Sequence, residues 1–136
     1  MNWKFFGKIH AWIYTASGGR FGANAGPLKI ALVTTTGRKS GKQRSVPIAS
    51  YPYKDSVAVS ASNSGQSSHP AWFLNMQANP EVTVQLGTDK YSAIAEVVAD
   101  EQRDELWAIA TKINPHQKEY RAKTDREIPL VWFRRV

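Results

Sequence analysis

Two hydrophobic periods share this chain, one near 3.6 residues and one of 2. At the start, Trp3, Phe6, Ile9, His10 and Ile13 recur at helical spacing, and Phe5 and Trp12 widen that face. The pattern predicts a helix over about residues 3–15, with Asn2 as its cap. Its apolar face reads as packed on a barrel. A second reading is an interfacial helix or lid, since Trp and Lys together suit a membrane surface. The next twelve residues, ASGGRFGANAGP at 16–27, read as a glycine-rich loop.

The period then shortens. Leu28–Thr36, Gln43–Tyr51 and Ser56–Ala61 read as strands, and GRKSGK between the first two reads as a hairpin turn. Pro47 cannot donate to a ladder, so it belongs at an edge or bulge. SNSGQSS, at 62–68, is a loop. HPAWFLNMQAN follows as a helix with Ser68 or His69 as cap and Pro70 near its first turn. Glu81–Leu86 and Tyr91–Val98 read as strands around the turn GTDK. Asp100 is expected to cap a helix reaching about Ile113, a short helix follows near 116–122, and Ile128–Arg134 closes as a strand. About six strands without regular βα alternation favour an antiparallel sheet or barrel with peripheral helices, α+β or mainly β. The 136 residues are expected to form a single domain, 1–136.

Composition narrows the chemistry. There is no cysteine, which excludes disulfides, thiolate metal sites and a cysteine nucleophile. The three histidines, His10, His69 and His116, lack metal-ligand spacing, so no metal is expected. With neither a secretory signal nor a long apolar span, the expectation is a cytoplasmic protein, membrane-associated only if the first helix lies on a surface. The net charge of +7 is unevenly placed. Residues 1–54 carry nine Lys/Arg and no acid, whereas residues 55–136 carry nine Lys/Arg against eleven Asp/Glu. The first part is therefore +9 and the second −2 (9 − 11), which favours an anionic partner for the first.

Residues 34–44, TTTGRKSGKQR, concentrate that charge. The segment is not a Walker loop: three residues, not four, separate Gly37 from Gly41, Gln43 stands where a hydroxyl is needed, and a strand rather than a helix follows. No GxGxxG opens a helix, and no GxSxG occurs. What remains is a hairpin tip bearing Arg38, Lys39, Lys42 and Arg44, four cations within seven residues. It reads either as a solvated basic turn or as an anion dock whose glycines let backbone N–H groups approach. If the strand starts early enough, Lys42 and Arg44 share a face.

The segments ALVTTTGRKSGKQRSVPI, HPAWFLNMQANPEVTVQLG and TDREIPLVWF occur in this order, and together they resemble the deazaflavin-dependent nitroreductase family, which uses coenzyme F-420. The resemblance runs from about Leu28 to Phe133. It implies a split β-barrel, FMN-binding-like, of mostly antiparallel strands. It also implies an occupant for the basic turn, since the coenzyme is a deazaflavin ring carrying a phosphodiester and an oligoglutamate tail. By this resemblance Arg38, Lys39 and Arg44 receive the phosphate and tail, with Lys42 as a further tail contact. Val46 and Pro47 line the path to the ring, and Ser60, Ala61, Ser62, Asn63 and Gly65 hold its edge. Trp72 and Asn75 lie near the ring and the substrate side, Asn75 counting among the coenzyme contacts.

Departures from the family pattern bear on the substrate. Many relatives carry a lysine at Asn63, and some a tyrosine at Ala49. INPHQKEY replaces a tyrosine-rich pocket segment, so that Asn114, Gln117 and Tyr120 would face substrate with only Tyr120 matching. The implied activity is hydride transfer from reduced F-420 to an activated alkene, lactone, quinone or nitro compound, with Tyr120 and Ser62 as candidate proton donors. The alternatives are an FMN-dependent split-barrel oxidoreductase and a non-enzymatic anion- or lipid-binding protein. Nucleic acid is not an expected partner, and a monomer is the favoured assembly.

Overall fold

The computed structural model describes the backbone of residues 3–19, 22, 24–25 and 28–136. The elements are α1 (Trp3–Ala16), β1 (Asn24–Ala25), β2 (Leu28–Thr36), β3 (Gln43–Tyr53), β4 (Ser56–Ser60), a 3-10 turn (Asn63–Gly65), α2 (Ala71–Ala78), β5 (Glu81–Leu86), β6 (Asp89–Val97), α3 (Asp100–Ile113), α4 (His116–Lys123) and β7 (Leu130–Arg135). One sheet runs in the order β1-β2-β3-β4-β7-β6-β5. Pairing of β2 with β5 then closes the strands β2 to β7 into a six-stranded antiparallel barrel. Closure removes most of the exposed edge that an open sheet of this size would leave.

β2 shows why the chain closes there. Ala31, Val33 and Thr35 point into the barrel, while Ile30 and Leu32 point outward beneath α1, so the strand is buried on both faces. That is why it reads as an apolar run rather than an alternation. The end of the barrel is plugged by α2, whose Trp72, Phe73 and Met76 join the interior cluster of Val33, Val59, Val84 and Phe133. A second cluster lies outside the barrel, where Leu106 and Trp107 of α3 cover Ala58, Ile128 and Leu130.

β2 and β5 have the expected bounds. β6 starts two residues earlier than expected, because Leu86 pairs with Asp89 around a two-residue loop. Gly87, at φ +63°, supplies the positive φ that such a loop needs. The basic turn closes as expected: Gly37 N–H donates to Lys42 O and Gly41 N–H to Gly37 O, both at 2.8 Å. β3 starts only at Gln43, so Lys42 stands just outside the strand that carries Arg44.

Three expectations are corrected. Neither Ser68 nor His69 caps α2; Pro70 occupies the cap position without a side-chain bond, and the His69 ring is engaged by Arg126. Ala99, not Asp100, is the cap of α3, and Asp100 and Glu101 sit in its first turn, where the helix dipole favours acids. The third concerns α1. Its docking residue is Tyr14, which is fully buried with Ala11 packed beside it. The Tyr14 hydroxyl accepts from Gly87 N–H at 2.7 Å and lies 3.0 and 2.9 Å from the Ile30 and Gln85 carbonyls. Ile9 and Ile13 are each 39 % exposed and Trp12 is 71 % exposed, so the expected apolar face turns outward there. The Asn2 cap and the side chains of Trp3, Phe5 and Phe6 lie outside the described residues.

Candidate functional site

The site begins where two strands part. β3 and β4 pair from Tyr53↔Ser56 to Ser50↔Val59. Continued, that register would set Ala49 against Ser60, Ile48 against Ala61 and Pro47 against Ser62. Among the described residues none of these pairs forms. β4 and its continuation stay with the neighbouring chain instead: Ser60 pairs with Leu130, and Ala61 N–H donates to Pro129 O at 2.9 Å. The first half of β3 pairs with β2 alone and keeps one edge free, which is how Pro47 is accommodated. A free strand edge and the segment 60–65 thus bound a gap in the barrel wall, the candidate cleft.

The residues expected at the walls divide between two faces. Pro47, Ala49 and Tyr51 share the outer face of β3 by period two, while Val46 and Ile48 pack against the barrel interior. Val46 and Pro47 therefore point to opposite faces of the strand. On the opposite wall Ser60, Ala61 and Ser62 are buried, and Gly65 is tightly enclosed. A Cβ on Gly65 would lie 2.9 Å from Tyr120 O and 2.9 Å from Lys123 Cβ, so α4 rests directly on this turn. Asn63 has φ +49°, a left-handed conformation that asparagine tolerates better than most residues. Its amide donates to Ser68 O at 3.1 Å.

The basic turn stands at one end of the cleft. Asn75 on α2 accepts from both the backbone N–H and Nη1 of Arg38, each at 3.2 Å, and its own amide donates to Thr35 Oγ1 at 3.3 Å. Asn75 is buried. Expected among the coenzyme contacts, it has its Oδ1 taken up by Arg38. Lys39, Lys42 and Arg44 are exposed. Among the described residues, none of the four cations makes an ion pair. The charge is concentrated and uncompensated.

The far side is more closed than the sequence implied. Asn114 and Gln117 were expected to face substrate. Both are buried, and both donate to the Tyr51 hydroxyl, at 3.3 and 3.0 Å. Burial raises the Tyr51 pKa above its ordinary value; the two amide bonds oppose this, and nearby Tyr120 adds to it. Trp72 is likewise a packing residue, edge-on to Phe73 and tilted against Phe133 inside the barrel. Of the expected substrate-side residues only Tyr120 is half exposed. The hydroxyls of Ser62 and Tyr120 are hydrogen-bonded to no described residue.

Two residues escaped the sequence reading. Tyr51 lay inside a predicted strand with nothing to distinguish it from a core aromatic. Arg126 lay inside TDREIPL, yet its guanidinium reaches back to the carbonyls of Ala61, Ser62 and Gln66. The surface depression between α3 and α4, lined by Trp107, Thr111 and Lys118 among others, holds none of the expected residues.

The donor set fits a polyanion attached to a flat ring. Four unpaired cations suit phosphate and carboxylates, and a parted strand pair offers apolar walls with free backbone groups. Known proteins agree. The family model for F420H(2)-dependent quinone reductase matches residues 6–134. An F420H(2)-dependent quinone reductase of Mycobacterium tuberculosis (strain H37Rv) is 30% identical over 128 residues, spanning 91% of this chain and 86% of that protein. A solved F420-H2 dependent reductase, FDR-A, superposes with a TM-score of 0.69 at 41% identity, covering 75% of this chain and 90% of its own. Another solved relative, described as a domain-swapped dimer, gives 0.72 at 35% identity over 91% of this chain and 93% of its own. The chain belongs to the F420H(2)-dependent quinone reductase family, oxidoreductases that draw on reduced coenzyme F-420.

Proposed function

We propose that this chain, acting as one domain over 1–136, reduces a quinone in the cleft between the free edge of β3 and residues 60–65. The observation that carries this reading is the parting of β3 from β4 beside four unpaired cations. When bound, reduced F-420 supplies a hydride. Arg38, Lys39, Lys42 and Arg44 bind its phosphodiester and glutamate carboxylates, Arg by paired donors and Lys as point charges. Asn75 holds Arg38 in place for this. Pro47 and the backbone of Ser60, Ala61, Ser62, Asn63 and Gly65 enclose the ring. Ser62 in this wall and Tyr120 on α4, which rests against it, are the hydroxyls that can deliver a proton to the substrate oxygen. The plug of α2 under the turn keeps water out of the barrel end.

Titration with F-420 and with FMN at one salt concentration tests the reading, followed by oxidation of reduced F-420 with menadione and with nitroaromatic acceptors. Tight F-420 binding and menadione turnover are expected. Binding of FMN in preference to F-420 would transfer the cleft to a flavin.

The outward Ile9, Trp12 and Ile13 of α1 support a finer reading, in which the monomer rests on a membrane surface where apolar quinones reside. A blue shift of Trp12 emission on adding anionic vesicles, abolished in Trp12→Gln, is the expected result. No helix among the described residues is long and apolar enough to cross a membrane.

A further inference from the structure

Of the three segments that carry the family resemblance, TDREIPLVWF is the one without a role in coenzyme binding. Its Arg126 supplies one. Nη2 donates to Ser62 O at 2.7 Å and to Ala61 O at 3.1 Å, Nε to Gln66 O at 3.0 Å, and Nη1 to His69 Nδ1 at 3.1 Å. One planar guanidinium thus gathers both ends of the loop 61–66 and His69, two residues before α2. These partners lie 57 to 65 positions away in sequence. The group is half-buried and held at four points, and desolvation pulls its pKa below the ordinary arginine value.

The carbonyls matter more than the count of bonds. In a trans peptide the C=O and the following N–H point in opposite directions. Drawing the Ala61 and Ser62 carbonyls toward Arg126 turns the N–H groups of Ser62 and Asn63 the other way. Neither N–H has a hydrogen-bond acceptor among the described residues. Asn63 sits at φ +49°, so the loop holds a conformation that the chain alone would not favour.

We infer that Arg126 is a positioning residue: it fixes the backbone of residues 61–66 so that its free N–H groups face the ring end of the coenzyme. This rests on the cleft being the F-420 site. Arg126 touches the wall from behind and neither the tail nor the reacting atoms. Its effect is therefore confined to the ring, whereas that of Arg38 and Lys39 is confined to the tail. Lysine cannot replace it, since an ammonium is a point donor and does not span three carbonyls and a ring nitrogen.

The test compares wild type, Arg126→Ala, Arg126→Lys and Arg38→Ala. Each is titrated with full F-420 and with the deazaflavin chromophore lacking phosphodiester and glutamates, and each is melted without ligand. Both Arg126 variants are expected to weaken both ligands by the same factor, tenfold or more, and guanidinium ion to restore part of the affinity of Arg126→Ala. Arg38→Ala is expected to weaken only the full coenzyme. Should Arg126→Ala not fold, Arg126→Lys decides. A folded Arg126 variant that binds the chromophore as wild type does would overturn the inference while leaving the proposed function intact. Wild type that binds neither ligand would overturn both.

Discussion

Asn75 shows how one buried amide serves a charged site without touching its ligand. It is 5 % exposed and joins Arg38 to Thr35, residues from a loop and a strand that would otherwise move independently. Asn75→Leu keeps the volume and leaves the Arg38 N–H and the Thr35 hydroxyl unpaired. The expected loss is about 1–3 kcal/mol in a urea melt, with F-420 affinity falling roughly tenfold, or about 1.4 kcal/mol. Tyr51 is the second case. Tyr51→Phe strands two buried amide donors, Asn114 and Gln117, and is expected to cost about 1–3 kcal/mol. Its pH dependence has a definite sign. The folded pKa lies above the ordinary 10.0, so the folded state holds the proton more tightly than the unfolded chain. The associated stability is complete below pH 10 and is lost as pH rises toward the folded value. Unfolding free energies from pH 8 to 11 should fall less steeply in Tyr51→Phe than in wild type. Neither residue could be read from the sequence at this level. The basic cluster was visible because charge is a composition, but the buried amide supporting it sits 37 positions from Arg38.

At the scale of elements, the strands were legible and the faces were not. Period two located β2 and β5 because each carries its own alternation or run. α1 was placed correctly, but Ile9, Trp12 and Ile13 of its expected face turn outward, since a helix with two apolar stripes does not declare which one is covered. The Tyr14 hydroxyl decides it by meeting one backbone N–H and two carbonyls that belong to β2, β5 and the β5–β6 loop. Such a partner set exists only after the barrel has closed. The contact between α4 and the 3-10 turn is similarly tertiary, and it makes Gly65 irreplaceable. With φ +78° and a Cβ that would meet backbone at 2.9 Å, Gly65→Ala must push α4 off the turn. Cost of the strained φ alone is about 1–3 kcal/mol. Faster amide exchange in residues 116–123, with the β2–β5 ladder unchanged, is the expected signature.

On the scale of the whole molecule, the sheet order and the charge map together define what the protein can bind. The order β4-β7-β6 reaches across the chain, and no local pattern predicts it; yet it is this order that lets β4 stay with β7 while β3 parts from β4. The charge map was legible from the start, because +9 over residues 1–54 against −2 over residues 55–136 needs no fold to be counted. The fold adds that four of those cations, at the mouth of the cleft, make no ion pair among the described residues. Exposed charges are screened over about 8 Å at physiological ionic strength. Coenzyme affinity should therefore fall steadily as salt rises from 20 to about 500 mM, a range over which the Debye length shrinks several-fold. The chromophore without its tail should show little of this dependence, because its contacts are backbone groups and apolar walls. The difference between the two slopes isolates the tail, and changing Arg38, Lys39 and Arg44 to Ala together should flatten the slope for the full coenzyme to that of the chromophore. Parallel slopes in wild type would place the tail away from the basic turn and leave the +9 segment to another anion, such as the membrane surface beside α1.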